Sequence, residues 1–130
     1  MSKHFVYSWS KPMWHSFHFL AANCEDTPIE IERIKSITAY FLLIIPCIIC
    51  KTDAVSYLNR RQRSIKTKDE LIMFFFNFHN YVRQKTNRVK TNKKILNNYI
   101  KKDRETIKKI INTTINLCKS GTKNNYKYQN

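Results

Sequence analysis

Apolar residues recur every three or four positions through most of this sequence, which is the spacing of a buried helix face. The first such segment covers residues 11–23, where Ser10 can cap the helix and Pro12 fits its first turn. The second opens at Thr27 with a capping-box pattern and a proline at the first helical position, and it ends before Pro46. Two helices are therefore predicted in the first 45 residues.

Two more amphipathic segments follow Pro46. The third helix is expected to begin at Cys47 and to reach the basic turn 60–63. A second capping box, at Thr67 and Glu70, opens the fourth helix. The apolar side of that helix consists of Leu71, Phe75, Phe78, His79 and Val82. Four such helices joined by short loops predict an all-α protein built on an antiparallel four-helix bundle.

The chain beyond Thr91 continues the helical pattern with a different composition. Apolar residues at 95–100 and 107–115 predict further helix, and Gly121 could end it. We expect residues 122–130 to be disordered. The resulting division is a helical domain at 1–94 and a basic extension at 95–130, helical and then disordered, which we expect to be dispensable for chemistry.

The charge of the chain is large and uneven. The formal net charge is +15, and residues 83–130 hold fourteen Lys or Arg against two acids, whereas residues 1–82 hold ten against seven. Clustered cations can bind phosphates whatever the fold, so accessory contact of the extension with nucleic acid or acidic proteins stays open beside the simpler interpretation of a solvated helix. The apolar run 39–45 is too short to span a bilayer, and we expect a soluble protein.

Candidate chemistry is concentrated in Cys47-Ile48-Ile49-Cys50, which follows Pro46 directly. A cysteine in the first turn of a helix has a stabilised thiolate, and this spacing can close a disulfide across one turn, so the pair can form a redox couple. The same spacing also serves as half of a zinc site, here with His18 and His79, or as a thioredoxin-type site. The thioredoxin alternative requires a preceding strand, whereas helices are predicted on both sides of the pair.

Two other cysteines have no obvious role. Cys24 and Cys118 lack a second Cys-x-x-Cys partner. Unreactive thiols are the slightly favoured interpretation. A bridge between them, or a disulfide between subunits, stays open at this stage.

A second group of residues lies on the first and fourth predicted helices. Each member alone is more simply explained as a core or amphipathic residue. Together with the cysteine pair, their order and intervals resemble the FAD-linked sulfhydryl oxidases of the Erv/Alr type, the small viral members in particular. The motifs are Trp14-x-x-x-His18, Pro46-Cys47-x-x-Cys50 and His79-Asn80-x-Val82.

That resemblance implies a four-helix bundle with a short fifth helix, FAD held at its mouth, and a homodimer. Members of this family oxidise dithiols in partner proteins and pass the electrons through flavin to oxygen, which gives hydrogen peroxide. By the same resemblance, Cys50 would lie against the flavin and Cys47 would exchange disulfides with the substrate. We expect such an enzyme in the cytoplasm, or in a virus factory or virion, where other disulfide-forming machinery is absent.

A flavin needs aromatic side chains to stack on its rings and cations near its pyrophosphate. Ring contacts are expected from the two histidines and the tryptophan of the motifs, with the motif residues Asn80 and Val82 beside them. Candidate cations are Lys11, Arg83, Lys85 and Arg88. No metal is expected. The alternatives that remain are a basic nucleic-acid-binding helical protein and a zinc-binding structural protein.

Overall fold

A computed structural model of the protein describes residues 4–120 and 126–129, and helices dominate this part of the chain, as predicted. The helices are α1 (Ser10–Asn23), α2 (Pro28–Ile44), α3 (Ile48–Arg61), α4 (Lys68–Lys85) and α5 (Arg104–Lys119). Short 3-10 helices cover Gln62–Ser64 and Lys93–Tyr99, the second of these in place of the α-helical turn that the apolar pattern predicted. None of the described helices combines the length and the apolar character that crossing a membrane requires.

The helix starts follow the capping signals in two cases out of three. At Thr67 the complete capping box forms, because the threonine side chain accepts the Glu70 N–H while the Glu70 carboxylate accepts the Thr67 N–H. Thr27 accepts the Glu30 N–H at 3.2 Å, which caps α2. Ser10 does not cap α1; it is the first helical residue, and Trp9 stands at the cap position, where its side chain does not cap the helix.

The core forms where α1 meets α2 and α4. Phe17 of α1 is completely buried, and its ring stacks on Phe75 of α4 at 4.9 Å between centroids. The same ring meets Phe41 of α2 edge-on at 5.6 Å. Burying rings of this size stabilises the packing by area and by favourable ring geometry. The predicted bundle is thus held together around the middle of α1.

Helix α5 packs on the other side of α1. The hydroxyls of Ser16 and Thr114 lie 3.3 Å apart and are fully buried, and Ile107 packs with Phe19 in a second apolar cluster. Cys118 joins the main core. The helices on either side of the expected boundary at residue 94 therefore pack against each other. These contacts conflict with the expectation that the extension is dispensable. Charge led to that expectation, but the buried face of α5 is uncharged.

The two ends of the described chain meet. Strand β1 (His4–Tyr7) pairs antiparallel with strand β2 (Tyr126–Gln129), with His4 opposite Gln129. The sequence predicted disorder over residues 122–130, whereas 126–129 form strand β2 through backbone pairing with β1. Residues 121–125 and 130, including the proposed stop at Gly121, lie outside the described residues.

If α5 belongs to the core, then Ile107→Ala should lower the free energy of unfolding by about 2–3 kcal/mol, because the substitution leaves a cavity between α1 and α5. Ile100→Ala is the matched control, since Ile100 is 57% exposed, and it should cost well under 1 kcal/mol. Urea denaturation measures both. Equal, small losses would mean that α5 contributes no buried packing.

Candidate redox active site

The Cys47–Cys50 pair is a disulfide that closes the first turn of α3, with the two Cα atoms 5.2 Å apart. Cys47 is the cap residue, and its Sγ accepts the Cys50 N–H at 3.2 Å. Pro46 separates this helix from α2, and Ile45 before it has the extended backbone that proline favours in its predecessor. The predicted helix start at the cysteine pair is confirmed.

The position of Cys47 bears on its chemistry. A thiolate at the first turn of a helix is stabilised by free backbone N–H groups and by the helix dipole, which makes the sulfur a good leaving group in disulfide exchange. Both cysteines are partly exposed. The pair can therefore accept electrons from an incoming dithiol.

A cavity of about 750 Å³ adjoins the disulfide on the side of Cys50. Its volume lies within the range of roughly 300–1,000 Å³ that cofactor sites occupy. Cys50 lines this cavity and Cys47 does not. The rest of the wall is largely apolar and aromatic, and includes Trp9, Trp14, Leu42, Ile45, Ala54, Phe78, His79 and Val82.

The aromatic wall is built from α1 and α4. Trp14 and His79 stack with centroids 4.2 Å apart and ring planes at 6°. His79 Nδ1 lies 3.1 Å from Nε2 of His18, which is buried behind it and stacks on Tyr99 at 4.7 Å. Trp14 and His79 thus line the cavity, whereas His18 supports His79 from the interior.

Both histidines of this pair are neutral at pH 7. Burial lowers the pKa of His18 to about 4, with a smaller contribution from His15. Burial likewise lowers the pKa of His79 to about 3, and the positive charge of Arg83 acts in the same direction. A hydrogen bond between two imidazoles needs one donor and one acceptor nitrogen. The 3.1 Å contact therefore requires that one of the two facing nitrogens carries no proton.

Positive charge also borders the cavity, beginning one turn of α4 beyond His79. Arg83 and Arg88 both line it, and burial together with the charge of Arg83 lowers the pKa of Arg88. The Arg83 Nε is buried and has no hydrogen-bond partner among the described residues. A buried donor of this kind fits an anionic group of a ligand.

The other two predicted cations behave differently. Lys85 borders the cavity, but its Nζ pairs with Asp53 at 3.2 Å, and Asp53 also accepts the Tyr81 hydroxyl at 2.9 Å. Lys85 therefore joins α4 to α3 and is partly neutralised. Lys11 is exposed on the first turn of α1 and does not line the cavity.

Asn80 has a positioning role in the fold. Its Oδ1 accepts the Thr91 N–H at 2.8 Å and the Thr91 hydroxyl at 3.1 Å, and its Nδ2 donates to the Thr91 carbonyl at 3.3 Å. The side chain is buried against this backbone and does not line the cavity. These bonds hold the turn that carries Arg88.

Three residues of this region were missed by sequence reasoning. Trp9 lines the cavity from the turn before α1, and its proximity to Trp14 was the available signal. Tyr99 supports His18, but it had been assigned to the extension. The role of Asp53 could not be predicted, because the sequence around it does not indicate that it pairs with Lys85, which lies 32 residues further along the chain.

The remaining cysteines cannot form a bridge within one chain. Helices α1 and α5 run antiparallel, since Ser16 meets Thr114 and Asn23 Oδ1 accepts the Lys102 N–H at 2.9 Å. Cys24 lies two turns beyond Ser16 in one direction, and Cys118 lies one turn beyond Thr114 in the other. The axial separation is about 18 Å at 1.5 Å per residue, far more than a disulfide spans.

The buried thiol of Cys118 is poorly suited to react as a thiolate. Burial raises the pKa of its thiol to about 11, and burial also raises the pKa of Cys24. Among the described residues, no three His, Cys, Asp or Glu side chains are grouped so as to hold a metal ion. The two cysteines with zinc-ligand spacing are engaged in the disulfide, so nothing here favours the zinc alternative.

Comparison with known proteins agrees with these motifs. The model of the Erv1/Alr family matches residues 11–105. A protein of Invertebrate iridescent virus 3, provisionally named FAD-linked sulfhydryl oxidase 096R, is 31% identical over 88 residues. An FAD-linked sulfhydryl oxidase of African swine fever virus (isolate Tick/Malawi/Lil 20-1/1983) is 28% identical over 82 residues.

Each of these alignments covers part of the proteins compared. Both span 62% of this chain, and they cover 57% of the iridovirus protein and 69% of the swine fever virus protein. No solved structure matches the chain significantly.

The buried histidine pair predicts acid sensitivity. Each folded-state pKa lies below 6.5, so between about pH 6.5 and 4 the unfolded chain binds more protons, and the free energy of unfolding falls as pH falls. We expect a loss of about 1–2 kcal/mol per histidine at pH 5. His79→Phe keeps a ring against Trp14 without the titration, so urea denaturation at pH 7 and 5 should show a clearly smaller loss. An unchanged loss would contradict the assignment.

Proposed function

Because the chain belongs to the Erv1/Alr family, we propose that it is an FAD-dependent sulfhydryl oxidase that forms disulfides in protein substrates. The observation that carries this proposal is the placement of the Cys47–Cys50 disulfide beside a cavity of cofactor size, with Cys50 in its wall. The printed names of the viral relatives support the same activity and the same cofactor.

The residues of the cavity fit FAD. Trp14, His79 and Val82 would offer apolar and aromatic surface to the flat rings, and Arg83 and Arg88 would bind the pyrophosphate. When bound, the flavin would accept the electron pair of the reduced cysteines and deliver it to dioxygen, which yields hydrogen peroxide. The neutral histidines leave the aromatic wall itself uncharged, and Arg83 and Arg88 add positive charge to the cavity lining.

The first half of the reaction belongs to the cysteines. A substrate thiolate attacks Cys47 Sγ, the bond to Cys50 breaks, and Cys50 leaves as a thiolate. The second substrate thiolate then attacks the substrate sulfur of the mixed disulfide. The bond to Cys47 breaks, and Cys47 leaves as a thiolate. The substrate has lost two electrons and two protons and gained a disulfide, while the enzyme pair is now a dithiol with Cys50 facing the cavity.

Three finer features are further proposals. A homodimer and a place of action in the cytoplasm, a virus factory or a virion rest on the resemblance to viral members. Accessory contact with nucleic acid or acidic proteins rests on residues 83–102, which hold eight Lys or Arg and no acid. Sedimentation and salt-dependent binding measurements address the first and the last.

The cysteine roles are tested by substitution. Purified protein should be yellow with absorbance near ~450 nm, and Cys50→Ser should abolish dithiol-dependent oxygen consumption while that absorbance stays. Cys47→Ser should also be inactive. Cys24→Ser is the matched control and should keep full activity, since Cys24 lies outside the cavity. Oxygen consumption by the Cys50 variant at the wild-type rate would sink the proposal.

The role of Arg83 is tested through cofactor affinity. Arg83→Gln should weaken FAD binding about 10- to 100-fold, because a hydrogen bond to a charged group contributes about 1.5–3 kcal/mol. Lys94→Gln removes an exposed charge of the same sign and should change the affinity less than about twofold. Fluorescence titration of the cofactor-free protein measures both, and equal effects would show that only net charge matters.

A further inference from the structure

Three large exposed apolar side chains lie close in sequence to the disulfide. Ile48 and Ile49, between the two cysteines, are 81% and 84% exposed, and Leu43 in the last turn of α2 is 63% exposed. The three-residue connection 45–47 joins the two helix ends, so these side chains share one end of the bundle. We refer to Leu43, Ile48 and Ile49 as the apolar collar.

The collar is not needed for the core. Helix α3 buries Ala54, Tyr57 and Leu58, whereas Ile48 and Ile49 in its first turn are exposed. No charged residue occurs from Ser36 to Cys50, although a quarter of the chain is charged. Exposed apolar groups that serve no packing mark an interaction surface.

The chemistry of the pair dictates what touches this surface. A mixed disulfide between a substrate cysteine and Cys47 places the two Cα atoms roughly 4.4–6.8 Å apart. The residues before and after the substrate cysteine lie one Cα spacing of about 3.8 Å further along. They are then within side-chain reach of Ile48 and Ile49, whose backbone follows Cys47 directly.

We propose that the apolar collar binds the apolar side chains that flank the reacting cysteine in an extended, not yet folded segment of the substrate protein. This inference rests on the proposed function and adds the class of substrate. A protein that still lacks its disulfide exposes cysteines together with neighbouring apolar residues, which a folded protein buries. Such a segment offers both groups to the site at once.

Other occupants agree less well with the observations. A second copy seated permanently on the collar would cover Cys47 and block exchange. An acidic partner would find no cation in the stretch 36–50. Ile48 and Ile49 also border the cavity, so the cofactor could cover part of them. Leu43 does not border the cavity, so a change at Leu43 distinguishes binding of the substrate from binding of the cofactor.

The test uses full-length flavoprotein and two synthetic peptides with the same Cys-x-x-Cys core, flanked by leucines in one and by serines in the other. The wild type should show a kcat/KM about tenfold higher for the leucine peptide. In Leu43→Ser, and in the double variant Ile48→Ser with Ile49→Ser, this ratio should fall toward one. Ile29→Ser is the matched control, because Ile29 is 83% exposed at the far end of α2, and it should keep the ratio.

Each other outcome decides against the proposal in a recognisable way. A wild-type ratio near one, or the same fall in Ile29→Ser, would overturn the collar while leaving the oxidase activity in place. A loss of flavin without a change in the ratio would assign the collar to the cofactor, and a change in sedimentation without a change in the ratio would assign it to a second copy. Failure of the wild type to oxidise any dithiol, dithiothreitol included, would instead overturn the proposed function.

Discussion

Burial of α1 between two groups of helices is the constraint on which this structure depends. One side of α1 packs Phe17 against α2 and α4, and another side packs Ser16 and Phe19 against α5. The same helix carries Trp14, which stacks on His79 and forms a cavity wall. Because core packing and cavity wall are successive turns of one helix, any change that shifts α1 also changes the site.

The cavity is bordered both by neutral aromatic rings and by positively charged side chains. His18 and His79 stay neutral because burial disfavours their protonated forms, whereas Arg83 and Arg88 add positive charge to the lining of the same cavity. Cys50 lies in the same wall, and its partner in the disulfide lies outside it. Under the proposed function, the cofactor would lie on the Cys50 side of the disulfide and the thiol substrate on the Cys47 side.

The sequence by itself determined the local structure and the reactive group. Some signals act over only three or four residues and can be recognised from the sequence alone. They are the threonine caps at 27 and 67 and the proline at 46. The spacing of Cys47 and Cys50 allowed a disulfide across one turn, and the ordered motifs indicated the family. The apolar residues at every third or fourth position likewise predicted a bundle, since helical spacing fixes which side chains share a face.

Only the tertiary structure decided which of the motif residues face the cavity. Asn80 and His18 match motif positions, yet one holds Thr91 and the other supports His79, because both side chains are buried among partners distant in the chain. Lys85 is paired with Asp53, and Lys11 is exposed and does not line the cavity. Helix α5 joined the core although its composition suggested an appendage. Contacts between residues far apart in sequence depend on how helices pack, and no local pattern encodes them.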